Sequence, residues 1–499
     1  MTGSVWIDAR RAAMAPLDGQ VDADVAVVGA GITGVATAWR LAEAGHRVVL
    51  LEARRAGEGN TGRSTGNLYA TLSSGLAGLR GKWDDREAAA AVGARADAVE
   101  WIGGIQSKLG IDCGYRRVPL HQCVAERHSS AFDALRREHE AALALGLQAQ
   151  WLDGLEEWPM KAAGVHSLPG QAHFNPFGFV AGLLEALRER GVAIHEDSRV
   201  VDWDPDDGVV ETATGRVRAG HIVLATHTPL GINLLQTKME VYREYGVAAP
   251  LDGGPPDASV WMKDDKRSLR TCGSDGQRHL VIVGGKHKTG ENEEADEWPE
   301  RLREYGRRHF GLDGFSHAWS AQQYSSADGL PYIGRSGHDK VLLATGMGAD
   351  GLVWGTVAGA VFEALLGGRE DAPLVELLSP RRLAPLKSAK AFAAENATVA
   401  KHMVGDRTRS RREDETLEEV PAGDGRVVHV DGEHRAVHRT GDGRLVVLSA
   451  VCPHLKCLVQ WNPSAHTWDC PCHGSRFDVE GQVIEGPALE GLALAGPRE

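Results

Sequence analysis

The chain has 499 residues and a formal net charge of −13. That length suits two to four domains, and that charge excludes nucleic acid as a main partner, which calls for a basic face. No run approaches the roughly 18 apolar residues of a membrane helix. Arg10-Arg11 has no apolar stretch behind it, so no transmembrane segment and no export signal is expected, and the expected location is cytoplasmic.

Residues 25–28 are a short, β-branched apolar run, expected as a buried parallel strand. Gly29-Ala30-Gly31-Ile32-Thr33-Gly34 follows. Then come helical composition over 35–44, a stop at Gly45, and a second strand over 48–51 that closes on Glu52. A GxGxxG alone is weak evidence. Between a strand and a helix, with an acid ending the second strand, it reads as a dinucleotide-binding βαβ unit. Gly29 permits the tight turn, Gly31 lets backbone approach a pyrophosphate, and Gly34 allows close helix–strand packing. The free N–H groups of the helix N-terminus favour the anion, and Glu52 would accept from an adenosine ribose.

Further along, 88–109 reads as an Ala-rich helix. Segments 195–201 and 221–226 read as strands of the nucleotide layer, and 277–284 as a strand outside it. Segment 340–345 reads as a strand entering a glycine-rich turn, with a helix after it over 355–366. The charged, apolar-poor segment 401–419 suits a linker or a solvated helix face. Short β-like runs follow at 426–430, 433–439 and 445–449.

Seven cysteines are present. Cys113, Cys123 and Cys272 are scattered and expected to be buried, inert thiols. Cys452, Cys457, Cys470 and Cys472 cluster near the C-terminus, which favours metal over a disulfide framework in a chain without an export signal. Cys452-Pro453-His454 and Cys470-Pro471-Cys472-His473 offer two thiolates and two imidazoles. That set suits a tetrahedral zinc or a [2Fe–2S] cluster with cysteines on one iron and histidines on the other.

Several segments carry a resemblance. Gly57-Glu58-Gly59-Asn60-Thr61-Gly62-Arg63-Ser64-Thr65-Gly66 resembles the second FAD-contact loop of the D-amino-acid-oxidase-like (glycine oxidase) family. Val223-Leu224-Ala225-Thr226-His227-Thr228 is similar to that family's strand near the flavin. Asp328-Gly329-Leu330-Pro331-Tyr332-Ile333-Gly334 and Thr345-Gly346-Met347-Gly348-Ala349-Asp350-Gly351-Leu352 resemble its C-terminal FAD signature. The resemblance spans about 20–375. It implies FAD held by Gly29, Ala30, Gly31, Ile32, Thr33, Gly34, Glu52, Ala53, Arg54, Gly62, Arg63, Ser64, Thr65, Val200, Ala225, Thr226, Gly346, Gly348, Gly351 and Leu352. It also implies that the last loop starts a helix whose dipole stabilises the reduced, anionic flavin.

The Cys/His pairs resemble a Rieske domain. This implies Cys452, His454, Cys470 and His473 as iron ligands and a Cys457–Cys472 disulfide tying the two cluster loops. Ser475 matches a serine that bonds a bridging sulfide. Phe477 stands where high-potential centres carry tyrosine, and losing that donor lowers the potential. Gly486-Pro487 resembles the loop covering the cluster. His454 and His473 would keep their distal nitrogens near solvent.

The expected fold class is therefore α/β + β. A Rossmann-like FAD-binding domain (1–75, 156–230 and 321–400) is interleaved with an α+β substrate lobe (76–155 and 231–320). A linker (401–415) leads to a small all-β Rieske domain (416–499). The implied activity is FAD-dependent oxidation of a small-molecule C–H donor, an amine or amino acid. Electrons would pass from flavin to cluster and on to an external one-electron acceptor. The alternatives are reversed flow, in which an external donor reduces the Rieske cluster and the cluster feeds the flavin for a reductive or oxygen-using reaction, and a non-catalytic electron-transfer or redox-sensing flavoprotein. Tyr242, Arg243 and Tyr245 are candidates for clamping a carboxylate. Plain sheet surface is the other reading of those three; Lys286 and His287, expected just after a strand, are candidates to face the pocket, and a solvated turn is their other reading. His46, His121, His173 and His227 are of the type a covalent flavin link uses.

Overall fold

The computed structural model describes residues 3–7, 11, 13–274, 277–291, 295–382 and 417–495. The expected linker 401–415 and the stretch 383–400 lie outside the described residues. The nucleotide layer is an eight-stranded sheet in which Gly19–Val28 runs parallel to both Val48–Leu51 and Gly215–Leu224. Val341–Thr345 and Ala193–His195 extend it in parallel on either side. The helices Ile32–Glu43 and Gly351–Leu366 pack together on one face of it. They meet through small residues: a Cβ on Gly355 would lie 2.4 Å from Thr33 Oγ1, and one on Gly359 3.2 Å from the backbone of Ala36.

The segment Gly348–Leu366 is long and apolar enough to span a membrane by length and composition, which qualifies the expectation of no such run. Of its window, 67% is buried in the protein, so its apolarity serves the core. Its helix starts at Gly351, four residues before the sequence pattern suggests.

Segment 195–201 is not one strand. It breaks after Ala193–His195 and resumes as Val200–Asp204. Glu196, buried between them, accepts from the backbone of Met14 and Ala56 and pairs with Arg11 and Arg55. Satisfying that carboxylate bends the chain, and Asp197 takes a positive φ of 49°.

The second layer is a nine-stranded sheet, largely antiparallel, with His317–Ser326, Met239–Pro250, Gln277–Lys288 and Arg267–Ser274 at one end. Gly164–His173 belongs to this sheet, although 156–230 reads as nucleotide domain. Helix Asp85–Leu109 packs on Gly351–Leu366, although 76–155 reads as substrate lobe. Its start is fixed by a capping box between Asp84 and Glu87.

The C-terminal domain holds two small antiparallel sheets. One is Gly425–Val430, Glu433–Arg439 and Leu445–Ser449. The other is Gln460–Asn462, Thr467–Asp469, Arg476–Phe477 and Val483–Glu485. The Cys457–Cys472 disulfide is formed, and Cys113, Cys123 and Cys272 are free and buried.

This small domain docks through buried charge. Asp469 Oδ2 lies 3.4 Å from Arg243 Nη1, and Asp469 Oδ1 lies 3.2 Å from Arg476 Nε. Arg476 Nη1 lies 2.7 Å from Glu485 Oε2. The side chains of Arg243 and Asp469 are wholly buried. Asn462 donates to both Asp469 and the Tyr245 hydroxyl at 3.2 Å.

Removing Asp469 strands the buried Arg243 and leaves Arg476 with Glu485 alone. We expect Asp469→Ala to lower stability by about 3–5 kcal/mol in guanidinium unfolding followed by tryptophan fluorescence. Arg243→Met should cost less, because Asp469 keeps Arg476, Asn462 and Thr467.

Candidate active site and cluster centre

A cleft of about 580 Å³ runs between the two large sheets and reaches the C-terminal domain, a size usual for a cofactor site. Its nucleotide end is built by the βαβ unit. Gly29 has φ +101°, and its Cβ would lie 2.6 Å from the Ala225 carbonyl oxygen. A Cβ on Gly34 would lie 1.8 Å from the Gly29 carbonyl oxygen, so this turn closes only over glycine. Glu52 accepts from the amides of Ala30 at 2.9 Å and Arg54 at 3.0 Å. Burial raises its pKa above the usual carboxylate range against those two hydrogen bonds.

Gly31, Ile32, Thr33, Ala53, Arg54, Arg63, Ser64, Thr65, Val200, Ala225, Thr226, Gly346, Gly348, Gly351 and Leu352 line the cleft with Gly29 and Glu52. Ala30, Gly34 and Gly62 stand behind the wall and shape it. At the helix start, Ile32 N–H already donates to Thr61 Oγ1 at 3.0 Å. Asp350, just before the helix Gly351–Leu366, accepts from the Tyr69 hydroxyl at 2.7 Å and Ser73 N–H at 3.0 Å. Of the four histidines considered for a covalent link, His227 lines the cleft.

The substrate lobe places the candidate residues differently from the sequence reading. Neighbours in a strand point to opposite faces, so Tyr242 and Arg243 do not form one clamp, and Arg243 and Tyr245 are both engaged by the Asn462–Asp469 pair of the Rieske domain. Arg243 turns away from the cleft and is spent on Asp469 and Ser320. Tyr245 contributes to the cleft wall, but its hydroxyl accepts from Asn462. A bulge between Arg243 and Tyr245 re-aims the strand. The strand expected to stop at 284 continues through Lys288, which separates its two candidates. Lys286 lines the cleft, whereas His287 stacks on Tyr245 at 5.5 Å and its Nδ1 meets the Gly285 carbonyl at 3.0 Å.

Sequence reasoning missed Glu244. It lines the cleft and accepts from Gln323 Nε2 at 3.0 Å. Burial raises its pKa, with Lys286 and Gln323 opposing. The signal was present in the strand period: Glu244 is the acid on the face opposite Arg243. Lys263 also lines the cleft. Burial lowers its pKa, and no carboxylate lies within 4.0 Å among the described residues.

In the C-terminal domain the two Cys/His loops converge. The rings of His454 and His473 are 5.1 Å apart, edge to face. Cys470 donates to Cys452, which lowers the Cys452 thiol to about 7. His454 Nε2 and His473 Nδ1 are buried without a hydrogen-bond partner, the kind of orphaned donor set that a metal group satisfies. The sulfur of Cys470 lies within 4.8 Å of both disulfide sulfurs. Ser475 is buried, accepts from Ala488 N–H at 3.1 Å, and hydrogen-bonds Cys452. Phe477 is fully buried. One expectation is corrected in part: His473 is only 4% exposed, because its loop packs on the flavin lobe, whereas His454 is half-buried.

The comparisons with known proteins agree with this geometry. Residues 24–365 match the FAD dependent oxidoreductase (DAO) family, and 413–495 match the Rieske [2Fe-2S] domain. The chain belongs to the DAO family of FAD-dependent oxidoreductases. It carries a C-terminal Rieske domain, and its cofactors are FAD and a Rieske [2Fe–2S] cluster. It is 29% identical to the Bacillus subtilis protein YhfW, whose name designates a Rieske 2Fe-2S iron-sulfur protein, over 95% of this chain and 94% of that one. It is 40% identical to the cytochrome b6-f complex iron-sulfur subunit of Synechococcus elongatus over 19% of this chain and 45% of that one. Glycine oxidase from Geobacillus kaustophilus superposes with a TM-score of 0.61 at 20% identity, covering 72% of this chain and 99% of that one; this likeness concerns the fold.

Two outcomes follow from the geometry. Gly34→Ala should open the turn and cut FAD retention at least about tenfold, read as the ratio of 450 to 280 nm absorbance after dialysis. Glu485 gives a pH signature. Burial alone would raise its carboxyl, but Arg476 outweighs burial and holds it at about 2, below the ordinary 4.5. Its stabilising contribution is therefore complete above the ordinary range and is lost as pH falls through 4.5 toward 2. Acid unfolding by circular dichroism should lose part of its slope in that window in Glu485→Gln.

Proposed function

We propose that this oxidoreductase removes the α-hydrogen of an amine or amino acid at FAD and sends the electrons through the Rieske cluster to an external one-electron acceptor. One observation carries the reading. The cleft is walled on one side by the nucleotide motifs and on the second by Glu244 and Lys286. On the third it is walled by Ile484, Glu485 and Gly486 of the Rieske domain. A single cavity thus touches the flavin motifs, a charged substrate wall and the domain of the cluster.

FAD, when bound, supplies a hydride acceptor that can give up its electrons singly. The remaining work falls to side chains. Glu244 would hold the substrate ammonium and take its proton, because a buried carboxylate with a raised pKa is a better base. Lys286 and Lys263 would meet the carboxylate of an amino acid. Trp261 and Met262, buried in the cleft wall, would keep water from the reacting carbon. Cys452, His454, Cys470 and His473 would hold the cluster.

Anaerobic titration with amines and amino acids tests this. A true substrate should bleach the flavin at 450 nm and then raise the electron paramagnetic resonance signal of a reduced Rieske cluster. Glu244→Gln should lower kcat/KM by about a hundredfold or more at unchanged FAD content. A protein in which dithionite reduces both centres, yet no organic donor bleaches the flavin, would be a carrier.

A further inference from the structure

Tyr324 stands where the flavin cleft and the cluster loops meet. It lies on strand His317–Ser326, is 2% exposed, and lines the cleft. Its ring meets the edge of His227, another cleft residue, at 4.7 Å and 83°. Its hydroxyl lies 3.3 Å from the carbonyl oxygen of His473 and 3.2 Å from that of Gly486. Gln322 Nε2 donates to the same hydroxyl at 3.0 Å and to the Gly474 carbonyl at 2.8 Å.

Two further features protect this contact. Gly474 has φ +75°, and a Cβ there would lie 2.9 Å from the Tyr324 hydroxyl. Glycine after His473 therefore serves the approach of the loop to Tyr324 as well as its turn. Another polar route from the cleft runs from His227 through Asn60 to Glu485 at 2.9 and 2.5 Å. It ends on Arg476, which supplies no cluster ligand. The Tyr324 route ends on the main chain of His473 itself.

We propose that Tyr324 is the bridging residue of the internal electron path, joining the flavin cleft to the ligand His473 through its ring and hydroxyl. The inference rests on the relay reading above. With both groups bound, FAD would supply electrons one at a time and the cluster held by Cys452, His454, Cys470 and His473 would accept them, one ferric iron becoming ferrous for each, and Tyr324 would stand between the two. No bond of Tyr324 forms or breaks. Its proton stays in place, consistent with burial raising its pKa well above the ordinary phenol value.

The test uses the anaerobic holoenzyme and needs no substrate. A flash of photoreductant delivers electrons to the flavin, and absorbance follows their passage to the cluster. Tyr324→Leu should slow that passage by at least about tenfold, equivalent to about 1.4 kcal/mol of barrier. FAD content, iron content and both midpoint potentials should be unchanged. Tyr324→Phe keeps the ring and loses the hydroxyl contact, so it should fall between wild type and Tyr324→Leu; it also serves if the leucine variant loses a cofactor. A wild-type rate in a variant that retains both cofactors overturns the bridge. Absence of flavin-to-cluster transfer in the wild type overturns the relay itself, and is seen before any variant is compared.

Discussion

The buried run of alternating charge from Arg243 through Asp469 and Arg476 to Glu485 is the constraint on which the rest depends. Asp469, Arg476 and Glu485 pair within the Rieske domain, whereas Arg243 comes from a distant part of the chain and joins them through Asp469 only when that domain sits against the strand Met239–Pro250. Taking four charges out of water is costly, and such a network returns little net stability. What it does impose is geometry. A shifted domain would leave at least one charge buried and unpaired, so one docked arrangement is strongly favoured over its neighbours. We read this as a built-in cluster, held at a set place, rather than a domain that swings between partners.

That fixed docking explains the layout of the cleft. Alternation along Met239–Pro250 sends Arg243 to the Rieske interface and Glu244 to the cleft, so one strand serves both the seam and the substrate wall. Asn60 makes the same kind of join on the nucleotide side. It sits in the second FAD loop, contacts His227 and Glu485, and accepts from the backbone of Gln322. Substrate wall, flavin loop and cluster domain are thus held by shared residues, and none can move far alone.

Much of this was legible in the sequence wherever the signal is local. The βαβ unit is a contiguous run whose glycines each have a steric duty, and Gly34 bears that out, since a Cβ there would lie 1.8 Å from the Gly29 carbonyl oxygen. The Cys/His loops are likewise short and rich in diagnostic chemistry, and the Cys457–Cys472 disulfide follows their family pattern. Long-range pairing was not legible. Arg243 looked like a substrate clamp because its partner, Asp469, is remote in sequence. His287 looked like a pocket residue because nothing local says that the strand runs on to Lys288. The resemblance implied a solvent-facing edge for both cluster histidines, and nothing local says that a distant lobe covers His473. Glu244 could have been found by holding strictly to a two-residue period.

The central claim is spatial: one cleft brings the flavin against the face of the protein that carries the cluster. A crystal structure of the protein purified with both cofactors, with anomalous data at the iron edge, tests it most directly. The account expects a flavin ring in contact with Tyr324 and the 484–486 loop, and iron density among Cys452, His454, Cys470 and His473. A flavin ring seated away from Tyr324, or a single zinc peak among those four side chains, would contradict it.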